Sequence, residues 1–204
     1  MRKTSNIPPV FRELSLIGGH PALDFLNTVK YRGEADPRDR LESYSDAIEW
    51  AEVAGLLSTA EAKRLSRQAT KTASANSLRR EICEFREAVR VLFATKHQNV
   101  ARTTRAILRV EAEISALRPV ATIDRKSGAL TKEIVISDAG DLKAKIVSAV
   151  AELLLLRTEL RIKTCRGFDC DWVFIDRTKA GRRQWCDTRT CGNIARVRRY
   201  RERH

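Results

Sequence analysis

Long apolar runs are missing from this 204-residue chain: the longest, Ala149 to Leu156, is interrupted by Glu152 and falls far short of the ~20 residues a membrane-spanning helix needs. The opening MRKTSNIPPVFREL carries basic residues but lacks the apolar central region of a secretory signal. Both absences predict a cytoplasmic chain with no membrane partner. Histidine is scarce, with three in all, and no nucleophile motif, phosphate loop or metal-hydrolase spacing occurs, which argues against an enzyme. With 9 glycines and 5 prolines, the chain shows no linker, repeat or low-complexity tract. What remains, 43% hydrophobic and 32% charged residues, is the composition of a soluble globular protein with one substantial core and a small appendix.

Negative charge is also in short supply, and unevenly so. The formal net charge is +13, and the segment from Arg157 to His204 alone holds 14 Lys/Arg against 6 Asp/Glu. Basic charge concentrated in the last quarter of a chain favours a polyanion such as nucleic acid. An acidic protein or an anionic surface is a weaker option, and a merely solvated face is the plain alternative.

The preceding part reads as mostly helical. PALDFLNTV, from Pro21 to Val29, suits a short helix with proline at its first position; the FRELSLIGG before it suits a short strand and turn. SYSDAIEWAEVAGLLS predicts a helix ending near Gly55, and STAEAKRLSRQA another, with Ser58 as cap and Glu61 three residues on. Leu78, Ile82, Phe85, Val89 and Leu92 form one apolar stripe; Ile107, Val110, Ile114 and Leu117 form a second, stopped by Pro119. VATID and TKEIVIS around Ser127-Gly128 predict a β-hairpin. A long helix follows, capped by Asp138 or Asp141, with Leu142, Ile146, Ala149, Leu153, Leu156 and Leu160 as its stripe. It runs into the cysteine-rich tail without a linker, so the tail is expected at a defined angle.

Of the five cysteines, four fall in the tail as Cys165-x4-Cys170 and Cys186-x4-Cys191. Two close pairs suit a tetrahedral site in which four thiolates enclose Zn²⁺ and leave no position for a catalytic water; ordinary thiols or two disulfides are the alternatives, disfavoured by a reducing compartment. DWVFID reads as a strand, TKAG as a turn and RRQW as a return strand, after which Cys191 opens a helix through Ile194, Val197 and Tyr200. Knuckle, hairpin and helix make a treble-clef module. With Trp172, Phe174 and Trp185 as its chief large apolar residues, a tail of ~45 residues has too little core to fold without a staple, which one structural zinc would provide. Cys83, in the middle of a helix, reads as a packed small hydrophobe, with a redox role as the alternative; His97 and His204 read as surface residues.

The tail CRGFDCDWVFIDRTKAGRRQWCDTRTCGNIARVRRYRER resembles the CGNR zinc finger: a cysteine pair, an aromatic strand with F-x-D, then R-x-W-C and a C-G-N-R opening a basic helix. GGHPALDFLNTV and YSDAIEWAEVAGLLS resemble the start of the ABATE domain, which precedes this finger in stress-induced transcriptional regulators of bacteria. The resemblance implies an α+β, predominantly helical ABATE-like domain with a β-hairpin over residues 1–160, a small treble-clef finger over residues 161–204, and DNA as the partner. One position departs from the pattern: Ile194 stands where the family has its named arginine, so a DNA contact by that side chain does not carry over, while Arg196, Arg198 and Arg199 stand nearby.

On a helix, Arg196, Arg199 and Arg203 share one side, and Arg198 with Arg201 a second. The expectation is a helix in or across a DNA groove, with Arg182, Arg183 and Arg189 touching phosphates from the hairpin and loop; solvated arginines are the alternative. His20, Asp24 and Asn27 are expected either to line a pocket for an unidentified small-molecule effector or to satisfy buried backbone groups beside Gly18-Gly19. The function these readings favour is a DNA-binding regulator, with a zinc-stabilised protein-interaction or assembly module as the alternative.

Overall fold

The computed structural model describes residues 16–30, 38–69, 74–93, 99–168 and 170–203. His97, His204 and most of the strand expected in FRELSLIGG lie outside these residues. Among the described residues, seven α-helices and three two-stranded antiparallel ladders make up an α+β fold: α1 Pro21–Leu26, β1 Val29–Lys30, β2 Arg38–Asp39, α2 Tyr44–Val53, α3 Thr59–Ala69, α4 Ala75–Phe93, α5 Val100–Ser115, β3 Val120–Ile123, β4 Leu130–Glu133, α6 Asp141–Leu155, β5 Ile162–Thr164, β6 Val173–Ile175 and α7 Asn193–Arg201.

Helix α1 occupies the centre. It is shorter than the nine-residue reading suggests, because Asn27 caps it and Val29 leaves for a ladder with Asp39 that no sequence signal announced. Leu23, Phe25 and Leu26 are buried, and Phe25 packs against Trp50 at 5.3 Å and Phe85 at 6.5 Å between ring centroids. Helices α2, α4 and α6 close around it with the stripes read from the sequence: Ile48, Trp50, Ile82, Phe85, Val89, Leu142, Ile146, Val150 and Leu153 belong to one core. The starts of α2 and α3 are capped, at α3 by the pair expected from the sequence. Ser43 and Asp46 form a reciprocal capping box at α2, and at α3 Glu61 accepts from the Ser58 amide at 2.7 Å while Ser58 Oγ accepts from the Glu61 amide at 3.3 Å.

Four details differ. In α5 the stripe is half used: Val110 is buried, whereas Ile107 remains exposed. The hairpin forms at the expected place, its turn held by Asp124, which accepts from the Lys126 and Ser127 amides, but β4 ends at Glu133, so that Ile136 can enter the core. Neither Asp138 nor Asp141 occupies the N-cap of α6; Gly140 does, while the Asp141 carboxylate accepts from the amides of Ser137 and Asp138. Helix α6 ends at Leu155, and the chain turns before Leu160 packs on the core.

That turn delivers the tail onto the helical body. The strand partner of β6 is the upstream β5, with Ile162 opposite Ile175 and Thr164 opposite Val173. RRQW, expected as the return strand, forms none, because the Arg183 side chain and backbone bind across the loop instead (below). Alternation along β6 then divides its side chains between two cores. Val173 and Ile175 face the main core, and Phe174 faces a second cluster containing Cys165 and Cys186. Burying the two β-branched side chains contributes roughly 1.5–3 kcal/mol each. Polar groups fix the register: Asn27 donates through Nδ2 to the Val173 carbonyl and accepts from the Val173 amide, both at 2.9 Å. The Ile175 amide donates to the Gly18 carbonyl at 2.9 Å, Arg177 to Gly19 at 3.0 Å and the Trp172 indole to Val29 at 3.2 Å. Arg90 pairs with Asp171 at 2.8 Å.

Replacing Asn27 by Leu leaves both Val173 backbone groups buried without these partners, so Asn27→Leu is expected to lower unfolding stability by about 2–4 kcal/mol. Urea denaturation followed by tryptophan fluorescence measures this loss, and the helical body and tail are expected to melt together.

Candidate metal centre

The sulfurs of Cys165, Cys170, Cys186 and Cys191 lie within 4.8 Å of one another. Cys170 and Cys186 are 3.7 Å apart and Cys186 and Cys191 3.5 Å, close to the ~3.8 Å edge of a tetrahedron with zinc–sulfur bonds of ~2.3 Å. All five cysteines are free thiols. The donor set therefore fits a closed zinc site.

Local chain chemistry explains how each ligand arrives. Cys165 follows β5 directly, and its sulfur accepts from the amides of Gly167 at 3.3 Å and Cys186 at 3.2 Å. A side chain at Gly167 would place its Cβ 3.0 Å from both the Cys170 Cβ and the Cys191 sulfur, so glycine lets the two pairs close without displacing a ligand. Gly192 has the same role beneath Trp185, whose Cδ1 would stand 3.0 Å from an added Cβ. Cys191 sits in a π-helical turn, Thr188–Gly192, capped by Asp187, rather than opening α7 itself. Hydrogen bonds from Cys170 and Cys186 hold the Cys165 thiol far below the ordinary cysteine range; bonding to Cys165 pushes both of those thiols up.

The loop between β6 and the second cysteine pair is ordered by a side chain that composition does not flag. Asp176 is buried; it accepts from Lys163 Nζ at 2.8 Å, Thr178 Oγ1 at 2.7 Å and the Arg183 amide at 3.0 Å, and the Lys163 bond above all holds its carboxyl well below the usual range. It is the Asp of the F-x-D motif, the one signal that could have found it.

The structure separates the arginines expected to touch phosphate. Arg183 is engaged within the chain. Its guanidinium stacks 4.2 Å from the Phe174 ring, donates to the carbonyls of Trp185 at 3.0 Å and Ile175 at 3.4 Å, and also bonds the Cys186 carbonyl, so it serves as an internal brace. Arg182, Arg189, Arg196, Arg199 and Arg203 are exposed. Arg198 is partly engaged, stacked 3.8 Å from the Phe168 ring and bonded through Nε to Glu202 at 3.0 Å. Ile194, at the family's arginine position, is 60% exposed.

His20, Asp24 and Asn27, expected either in an effector pocket or on buried backbone groups, all contact backbone here. His20 caps α1 by accepting from the Ala22 amide at 3.2 Å, Asp24 accepts from the Gly18 amide at 2.8 Å, and Asn27 is engaged with Val173. The backbone-satisfying alternative describes all three. A cleft of about 1120 Å³ opens elsewhere, between the end of α4 and the tail, with Arg90, Phe93, Arg166 and Arg182 in its lining. Cys83 is half-buried, and burial pushes its thiol up, as suits a packed residue.

Two family models match the chain. The CGNR zinc finger matches residues 161–204, and ABATE, described as a putative stress-induced transcription regulator, matches residues 19–159. The chain belongs to the ABATE family and ends in a CGNR zinc finger. No curated protein matches the chain significantly. Among the described residues, no helix is long and apolar enough to cross a membrane.

Loss of a ligand should exceed the 10–100-fold cost of disturbing a ligand's support, so Cys186→Ser is expected to weaken zinc retention by more than about a hundredfold in competition with a chromophoric chelator. Burial pushes Asp24 up to about 6, above its unfolded value of about 3.9. The folded state therefore holds the extra proton, and stability falls as pH rises from about 4 to 6. With a shift of about two units worth at most about 3 kcal/mol, Asp24→Asn is expected to flatten that fall, read as the difference between the two proteins' urea midpoints at each pH.

Proposed function

We propose that this protein is a cytoplasmic transcription regulator that binds duplex DNA through α7, with one structural zinc ion fixing the helix to the body. The observation that carries this reading is the state of α7. It buries no side chain, and it holds Arg196, Arg198, Arg199 and Arg201 within nine residues. A helix with no buried face draws little stability from its own chain's core. This one is anchored at its N-terminal end by the ligand-bearing turn, leaving its length free for a partner. Dense positive charge selects a polyanion. Arg196 and Arg199 share one side and, with Arg203 just past the helix end and with Arg182 and Arg189, form the phosphate-contacting set. A closed four-thiolate site gives zinc a structural role, and the protein acts by binding rather than catalysis. The cleft beside Arg90 and Arg182, formed between α4 and the tail, is the site proposed here for an effector.

A second reading, a protein-interaction module, is favoured by one feature. Ile194, Val197 and Tyr200 are 60%, 42% and 66% exposed on the same helix, an apolar surface that an acidic protein could cover. Salt dependence separates the two. Each phosphate contact contributes about 0.9 to the slope of log K against log salt, so Arg196→Ala with Arg199→Ala is expected to lower the slope for duplex DNA by about 2 and the affinity at least tenfold. Unchanged affinity and slope in gel shifts would overturn the DNA reading of these residues, and absence of duplex binding at low salt would favour the second reading.

A further inference from the structure

The arginines of α7 are not equivalent, and the difference points to a division of labour. Arg196, Arg199, Arg201 and Arg203 are exposed, and no side-chain partner holds them among the described residues. Arg198 is held from two sides. Its guanidinium lies over the Phe168 ring at 3.8 Å, and its Nε donates to Glu202, one turn on, at 3.0 Å. The side chain is nevertheless 47% exposed. Phe168, itself 62% exposed, comes from the knuckle between Cys165 and Cys170, while Arg198 follows Cys191 by two helical turns. The same four sulfurs that close the metal centre therefore hold ring and guanidinium in register.

Two consequences follow from elementary chemistry. First, Glu202 largely offsets the charge of Arg198 and would repel a phosphate brought close to it, so the pair makes a poor backbone contact. An exposed ion pair also adds little stability, so its effect is chiefly geometric. Second, with Nε engaged, the two terminal nitrogens remain as a planar fork already held in one orientation. A fixed fork loses less freedom on binding than a free one, and the two parallel acceptors that match it in a major groove are O6 and N7 of guanine.

We infer that Arg198, positioned by Phe168 and Glu202, is a specificity-determining residue that reads a guanine in the major groove. This rests on the DNA reading above and adds to it the base recognised and the residue that recognises it. Among the arginines of the helix, the free ones set affinity and the braced one sets sequence.

The test uses the full-length zinc-loaded protein. A duplex enriched from random sequences is compared in competition gel shifts with versions in which each guanine is replaced by another base pair or by 7-deazaguanine, which lacks N7. A bidentate pair discriminates by about 5- to 150-fold, so the wild type is expected to show such a loss at one guanine. Arg198→Ala is expected to reduce discrimination there to within about twofold while changing the salt slope by no more than about one. Phe168→Leu is expected to blunt the discrimination with zinc content unchanged, which separates loss of bracing from loss of folding. Arg199→Ala is expected to do the reverse of Arg198→Ala, lowering the slope and keeping the guanine preference. Duplex binding with the preference intact in Arg198→Ala overturns this inference alone. Absence of duplex binding by the wild type overturns the DNA reading, and this inference with it.

Discussion

A three-residue strand, Val173–Ile175, sits between two cores, and the arrangement of the whole chain depends on it. Pleating sends Val173 and Ile175 into the helical body and Phe174 toward the cysteines. A slip of one residue would exchange these faces, exposing two β-branched side chains and driving Phe174 away from the Arg183 guanidinium. Such a slip is opposed by Asn27, which makes both main-chain bonds of Val173 as a neighbouring strand would. A buried amide thus does the work of a missing third strand, and the sheet edge that would otherwise carry unpaired groups is covered by α1.

This arrangement changes how the tail's small size should be understood. A free segment of that length with few large apolar residues would depend on metal alone. Here part of its apolar content is lent to the larger core, and the ion pair between Arg90 and Asp171 adds a further tether. The cysteine cluster then has a narrower task. It draws together the knuckle after β5 and the turn before α7, which are far apart in sequence and share little apolar surface. Gly167 and Gly192 mark the two places where that approach is too close for a side chain. The orientation of α7 is set through this chain of contacts, from α1 to β6 to the cysteines.

The parts legible in the sequence are those whose signal is local. Four cysteines in two pairs announced the ligand set, the Ser58–Glu61 pair marked the start of α3, and periodic apolar residues placed α4 and α6. The parts that were not legible are set by tertiary partners. RRQW has no strand of its own because Asp176 and Arg183 tie the loop across itself, and an arginine that braces carbonyls looks, in a sequence, like any other basic residue. Asn27 and Asp24 show the same limit. Two polar residues three apart suit both a ligand pocket and a buried backbone contact, and the partner of Asn27, Val173, is 146 positions away. The stripe of α6 continued past the helix end because Leu160 keeps its period while reaching the core from a turn.

Replacement of the family's arginine by Ile194 acquires a physical context from this geometry. Ile194, Arg198 and Glu202 are spaced at i, i+4 and i+8, so they lie along one row of α7. An arginine at the head of that row would place a second cation one turn before Arg198, facing the same anionic partner. With isoleucine there, the row presents an apolar group, a braced fork and a carboxylate in order. The other side of the helix, with Arg196, Arg199 and Arg203, keeps its unpaired charge. The substitution therefore sharpens a contrast between the two sides: one is suited to long-range attraction, the other to contacts that depend on shape and hydrogen-bond direction.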